Sequence, residues 1–143
     1  MRKLFGTLFL LLCFGLYSAG LAQTPSPNDQ DQFKNIISHQ LEAFKADKGA
    51  EAYSYAAPAV QQIFPNVESF MGMVQRGYPQ VFRNQGYEFG ALSQDVAGRP
   101  VQEVRITGLD GEHYLAAYTL QQQTDGSWKI AACTMMKIEG IGV

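Results

Sequence analysis

Glu103, Arg105 and Tyr118 are the residues whose types and spacing come closest to acid–base chemistry. Glu103 and Arg105 stand two positions apart in a predicted strand and therefore share one of its faces. Tyr118 lies in the next predicted strand, from which it could approach them. A carboxylate base opposite a phenol is an arrangement with which isomerases move a proton beside a carbonyl group. An ordinary ion pair between neighbouring strands is the more common reason for this pattern, so we predict no catalytic residue.

Metal binding and nucleophilic catalysis have little support in the sequence. The two histidines are His39, on a predicted helix, and His113, on a predicted strand, and no H-x-x-x-H, H-E-x-x-H or C-x-x-C spacing occurs. Cys133 and Met135 share a strand face and could bind a soft metal such as copper, but such side chains more often fill a core. We therefore predict no metal and no cofactor, and an inert thiol at Cys133.

The composition excludes several other classes of protein. No P-loop, G-x-G-x-x-G or G-x-S-x-G pattern occurs. A net charge of −2 and a pI near 5.6 provide no basic surface for nucleic acid. A length of 143 residues, with 46% hydrophobic and 17% charged residues, indicates one folded domain and excludes intrinsic disorder.

The aromatic residues give the best indication of function. Seven tyrosines, nine phenylalanines and one tryptophan are many for a chain of this length. Tyrosines and methionines can line an apolar pocket that has a few polar groups, as small-molecule sites usually do, although simple core filling is the alternative. The predicted pocket-lining residues of this kind are Tyr55, Phe70, Met73, Tyr78, Tyr118 and Trp128.

Apolar periodicity predicts that helices occupy the first half of the folded domain. A stripe from Phe33 to Phe44 indicates about four helical turns that end within residues 45–49. Another stripe begins at Val67, and we predict that Gly77 ends this helix as its C′ residue. The shorter helical segments are predicted at Glu51–Ala57 and Ala59–Phe64.

The second half of the chain has the pattern of a β-meander. Turn signals at Ala97-Gly98, Asp110-Gly111 and Asp125-Gly126 separate runs of β-branched and aromatic residues. The predicted strands are Gly86–Gln94, Pro100–Thr107, Glu112–Gln123 and Ser127–Lys137. We therefore predict an α+β fold with N-terminal helices packed on a curved, four-stranded antiparallel sheet.

Neither face of the last predicted strand is polar in its middle. Strict alternation predicts two faces, one with Trp128, Ile130, Ala132, Thr134 and Met136, the other with Lys129, Ala131, Cys133, Met135 and Lys137. A sheet with helices on one side should expose a polar second face to water. We therefore expect the second face to contact another subunit, a tail or a ligand.

The N-terminus has the features of a signal peptide. Arg2 and Lys3 precede an apolar run that is too short to cross a bilayer as a helix. We predict cleavage between Ala22 and Gln23 and an exported protein, periplasmic or secreted, with no membrane span once the signal peptide is removed; an uncleaved anchor is the alternative. The predicted organisation is a signal peptide at 1–22, a flexible leader at 23–31 and a single α+β domain at 32–140.

Several motifs resemble a known bacterial family. They are Gln40-Leu41-x-Ala43-Phe44, Gly77-Tyr78 and Asp125-Gly126-x-Trp128-x-Ile130-x-x-Cys133. From Gln40 to about Met136 the chain is similar to domain-of-unknown-function family 4864 (DUF4864), which in turn resembles the nuclear-transport-factor-two-like α+β cones. The resemblance implies a cone-shaped sheet with a pocket at its wide end, Arg83 near the pocket rim, and homodimers through the sheet. It implies no reaction.

These observations together favour a non-catalytic module that binds a small apolar molecule or an envelope protein. One alternative is an isomerase, dehydratase or hydrolase that uses a pocket tyrosine with Glu103 or Arg83. Another is a structural or interaction module whose pocket is filled by its own side chains. We expect no nucleic-acid partner.

Overall fold

Helix α1 (Pro27–Lys45) begins at a capping box that its own sequence provides. The Ser26 hydroxyl accepts a hydrogen bond from the backbone N–H of Asp29, and the Asp29 carboxylate accepts one from the N–H of Ser26. The computed structural model describes residues 24–139. It places residues 27–31 in α1, where we had predicted the second half of a flexible leader, because the cap satisfies the first helical N–H groups.

Four shorter helices follow α1. They are α2 (Gly49–Ser54), α3 (Pro58–Ile63), α4 (Val67–Gly77) and α5 (Pro79–Phe82). The prediction that Gly77 is a C′ residue is wrong: Gly77 is the last helical residue, and the N–H of Tyr78 caps the helix by donating to the carbonyl of Val74 at 2.8 Å. Pro79 then starts α5, because a proline is well tolerated in the first turn of a helix.

The sheet is the predicted meander. Its strands are β1 (Asn84–Gln94), β2 (Pro100–Gly108), β3 (His113–Gln122) and β4 (Trp128–Lys137), paired antiparallel in the order β1-β2-β3-β4. Gly98, Gly111 and Gly126 in the connecting turns all have positive φ, which only glycine adopts without strain. The α+β class and the four-stranded antiparallel sheet are therefore confirmed.

The helices lie on one face of the sheet, which we call the inner face: α1, α3 and α5 pack on the strands, and α2 and α4 pack on other helices. Val104 and Ile106 of β2 and Ala116 and Leu120 of β3 are fully buried there, in one core with buried residues of α1 and α5. The outer face carries the alternate side chains of the same strands. No element among residues 24–139 covers this outer face.

A β-bulge changes the faces of β4. Thr119 pairs with Ala132, but the next residue of β3, Leu120, pairs with Ile130, so Ala131 is an extra residue. On the edge of β4 that faces away from β3, Ile130 forms two further backbone hydrogen bonds. Its N–H donates to the Tyr55 carbonyl and its carbonyl accepts from the N–H of Ala57, both at 2.8 Å.

Because of the bulge, the predicted alternation in β4 is wrong beyond Ile130. Cys133 pairs with Tyr118, and Met135 pairs with Ala116, and both partners are buried on the inner face. Cys133 and Met135 therefore join Ile130 on the inner face, whereas we had predicted them opposite it.

The predicted signal peptide at 1–22 and its cleavage site between Ala22 and Gln23 lie outside the described residues. Within residues 24–139, none of the helices combines the length and apolar character that a membrane-spanning helix requires.

Candidate functional site

A cavity of about 310 Å³ lies between the helices and the inner face of β3 and β4. Side chains of α1, α4 and α5 form one wall, Val60 and Phe64 of the α3 region form another, and Tyr118 and Cys133 form the sheet wall. Val60 is only half-buried, so the rim of the cavity lies on the α3 side. The volume is at the lower end of the range for small-molecule sites.

Helix α4 supplies much of the apolar wall. Phe70, Met73 and Val74 line the cavity, and their spacing of three and four residues places them on one side of the helix. The helix begins at Asn66, whose side-chain oxygen accepts a hydrogen bond from the backbone N–H of Ser69 at 2.8 Å. The cap fixes where the helix starts and therefore which residues face the cavity.

The polar end of the cavity consists of two phenols and one thiol. The Tyr78 hydroxyl donates to the backbone carbonyl of Cys133 at 3.0 Å. The Tyr118 side chain is 1% exposed, and its hydroxyl has no hydrogen-bond partner of good geometry among the described residues. The Cys133 thiol lies close enough to influence the pKa of Tyr118.

These three groups are neutral at physiological pH. Burial raises the pKa of the Cys133 thiol to about 12, and the polar Tyr118 hydroxyl nearby opposes this only in part. Burial also raises the pKa of Tyr118 well above its usual value, with the neighbouring Cys133 and Tyr78 adding to the effect. The pKa of Tyr78 is raised by burial and then by Cys133.

Gln40 is a cavity residue that the sequence analysis did not propose. It lines the cavity and is 4% exposed, and its side-chain nitrogen donates to the Ala52 carbonyl at 3.1 Å. Its position in the apolar stripe of α1 was the available signal, because a polar side chain inside such a stripe must find a partner in the core.

The structure brings four of the seven predicted pocket residues together and separates the other three. Those that line the cavity are Phe70, Met73, Tyr78 and Tyr118. Tyr55 lies outside it and contributes to the fold through its carbonyl, which binds β4, while its ring lies 6.2 Å from the His39 ring.

Arg83 serves a structural role away from the cavity. Its guanidinium donates to the Phe44 carbonyl near the end of α1, forms an ion pair with Asp47, and stacks on the Phe82 ring at 3.8 Å. Asp47, just after α1, has a φ of +56°, a left-handed conformation that costs a non-glycine residue conformational energy. Arg83 stabilises this turn through its ion pair with Asp47. The resemblance had implied a position at the pocket rim, and the structure does not place Arg83 there.

Trp128 packs beneath the start of α1. Its ring meets Phe33 edge-on, with centroids 4.7 Å apart, and its indole nitrogen is buried beside the carboxylate of Asp29. It lines a separate, more polar cleft of about 710 Å³ together with Ser26 and Arg99. Arg99 is already paired with Asp95 at 2.8 Å.

The acid–base arrangement considered for the sequence does not form. Tyr118 pairs with Gln102, and both are buried on the inner face. Glu103 and Arg105 alternate with buried residues of β2 and therefore lie on the outer face. The idea that Tyr118 approaches Glu103 is thus wrong, because the pleat directs the two side chains to opposite sides of the sheet.

Within residues 24–139 no three side chains of His, Cys, Asp or Glu cluster closely enough to hold a metal ion. The lining side chains of the main cavity include neither a carboxylate nor a histidine. This arrangement can enclose a small apolar molecule and offer it hydroxyl groups.

The fold and the cavity define an α+β domain with a ligand-sized space between its helices and its sheet. The chain belongs to the DUF4864 family, a domain of unknown function, since the model of that family matches residues 26–143. Helices followed by a four-stranded antiparallel sheet are also compatible with the wider nuclear-transport-factor-two-like group. Neither the curated proteins nor the solved structures contain a significant match to the chain.

Proposed function

We propose that this chain is a non-catalytic module that binds a small, largely apolar molecule in the cavity between α4 and β4. The observation that carries the proposal is the cavity itself, about 310 Å³ lined almost entirely by apolar side chains. Protein interiors are close-packed and contain few voids larger than a water molecule. A space of this size among buried aromatic residues is therefore better explained by a ligand than by imperfect packing.

The positions of the ionisable residues favour binding over catalysis. The enzymatic alternative relied on a pocket tyrosine with Glu103 or Arg83. Glu103 lies on the outer face of the sheet, and Arg83 is engaged with Asp47 and the end of α1. The alternative of a self-filled pocket is disfavoured because the side chains leave the cavity volume unfilled.

Export is also part of the proposal, supported by the sequence of residues 1–22. An exported binding module would meet its ligand in the periplasm or outside the cell. The expected mature chain begins at Gln23.

The test is native mass spectrometry of protein produced from the full sequence in a bacterial host and purified without detergent or organic solvent. We expect a bound small molecule at about one per chain, which denaturing extraction releases, and a chain mass that lacks residues 1–22. Retention of residues 1–22 would refute the proposed export and leave the binding proposal intact.

A matched pair of variants connects the bound molecule to the cavity. Val60→Phe puts a larger side chain into the cavity wall, whereas Ile63→Phe puts the same ring on the exposed surface of α3, outside the cavity lining. We expect the first variant to lose the co-purifying molecule and the second to keep it. Equal occupancy of the two variants, or an empty unsubstituted protein, would contradict the proposed function.

We further propose that two copies associate through the outer face of the sheet. Its centre carries half-buried Leu115 and Ala117 and the largely exposed Met136, an unusual set for a face in water. Glu103 and Arg105, two residues apart on the same face, have opposite charges. A two-fold axis between them would place each beside its opposite on the second copy, which supports a second copy as the partner.

A further inference from the structure

The Tyr118 hydroxyl is the polar group of the cavity whose bonding the protein leaves incomplete. Tyr118 is 1% exposed, and its hydroxyl has no partner of good geometry among the described residues. A buried donor without a partner is costly, and such groups in native proteins usually mark a missing ligand or water.

The neighbouring acceptors do not meet this requirement. The Cys133 carbonyl already accepts from the Tyr78 hydroxyl at 3.0 Å. The Cys133 sulfur is a weak acceptor. Tyr118 therefore keeps a hydrogen to donate to whatever occupies the cavity.

The side chains that line the cavity also favour a neutral ligand over an anionic one. The cavity lining contains no cationic side chain, and Arg83 is held outside it by Asp47 and Phe44. An anion would lose its hydration there without gaining an opposite charge. Burial raises the pKa values of Tyr118 and Cys133 for the same reason, since the cavity disfavours the charged form of any group.

We propose that the ligand is a neutral, mainly apolar molecule with one accepting oxygen, such as a ketone, and that the Tyr118 hydroxyl binds this oxygen. The inference rests on the proposed binding function and specifies the chemical class of the ligand. The cavity volume corresponds to roughly ten non-hydrogen atoms, taking about 30 Å³ for each as for water in the liquid.

Three probes of nine to twelve non-hydrogen atoms test separately the need for an accepting oxygen and the exclusion of a negative charge. The first is 1-indanone, the second is indane, which lacks the ketone, and the third is indane-1-carboxylate, which carries a charge. In ligand-detected NMR titrations of the protein produced from the full sequence, we expect 1-indanone to bind about fivefold more tightly than indane. We expect no binding of the carboxylate.

Substitution of the hydroxyl isolates its contribution. Tyr118→Phe should remove the preference for 1-indanone over indane, and Tyr55→Phe, a matched change outside the cavity lining, should keep it. Infrared spectra provide a readout that needs no variant. In the unsubstituted protein the carbonyl stretch of bound 1-indanone should lie below its value in an apolar solvent, as for a hydrogen-bonded ketone.

The outcomes distinguish this inference from the proposed function. Equal affinity for 1-indanone and indane, with both lost in Val60→Phe, would overturn the inference and leave the binding function standing. Binding of the carboxylate as tight as that of the ketone would overturn it as well. If neither neutral probe binds, the proposed function fails and the inference fails with it.

Discussion

At the scale of single residues, the chemistry of the cavity depends on burial more than on residue type. Cys133 and Tyr118 are side chains that elsewhere act as nucleophile or acid, but here desolvation keeps both protonated. A thiol that rarely ionises is a poor nucleophile, which agrees with a binding role. The sequence predicted the inert thiol from its position in a strand, but the bulge that directs it toward the cavity was not predicted.

The reactivity of Cys133 tests this description. With a pKa of about 12, about one thiol in ten thousand is ionised at pH 8, against roughly a quarter for a free cysteine. We therefore expect alkylation by iodoacetamide to be about two thousandfold slower than for a free cysteine. Because only the thiolate reacts, the rate should rise about tenfold for each pH unit from 8 toward 12, as far as the native fold persists.

Denatured protein serves as the control for this experiment. In denaturant Cys133 should react at the rate of a free cysteine, and a chain processed at Ala22 should contain one reactive thiol because Cys13 is removed. Fast alkylation of the native protein at pH 8 would show that Cys133 is an activated thiol and would reopen the enzymatic interpretation.

At the scale of secondary-structure elements, two local features determine what faces the cavity. Arg83 fixes the end of α1 through the Phe44 carbonyl and Asp47. The bulge at Ala131 lets β4 pair with β3 on one side while Ile130 bonds to the linker between α2 and α3 on the other. Both features depend on residues far apart in the sequence.

Deletion variants test the role of the bulge. Because Ala131 is the extra residue, its deletion leaves Ile130 and Cys133 on the same face, and we expect a folded protein with modestly reduced stability. Deletion of Thr134 instead moves Met135 to the outer face and Met136 to the inner face, one residue out of register.

Urea unfolding followed by circular dichroism measures the difference between these two deletions. We expect the Thr134 deletion to lose more stability than the Ala131 deletion, since it disrupts a continuous part of the strand pairing. Equal losses would mean that Ala131 is not an extra residue in the pairing of β3 with β4.

At the scale of the whole molecule, helices on one face of the sheet produce both the cavity and the uncovered outer face. The inner face meets α1 and α5, and the outer face meets no described element. A molecule of this kind has one surface suited to a ligand and another suited to a second copy.

Sedimentation equilibrium at tens of micromolar protein tests the dimer. We expect the unsubstituted chain to be dimeric and Leu115→Arg to be monomeric, since the substitution puts a second cation opposite Arg105 at the centre of the outer face. Val96→Arg is the matched control, because Val96 is fully exposed in the turn between β1 and β2. A monomeric unsubstituted chain, or equal behaviour of the two variants, would contradict the proposed interface.

The sequence by itself determined the class of fold and the order of its elements. The apolar stripe from Phe33 to Phe44 and the turn glycines at 98, 111 and 126 act over a few residues, so local periodicity and turn chemistry are enough to predict them. The leader was predicted too long because residues 27–32 carry no apolar stripe, so periodicity does not show that α1 already begins after the cap at Ser26.

Only the tertiary structure decided which side chains share the cavity. Phe70, Met73, Tyr78 and Tyr118 meet there, while Arg83 and Trp128 do not. Residue type limits what can line a cavity, but position depends on how distant elements pack, and one bulge in β4 reverses the predicted face of Cys133. Local sequence patterns do not depend on such long-range contacts. They indicate which residues could line a site, but not which of these residues meet in the folded protein.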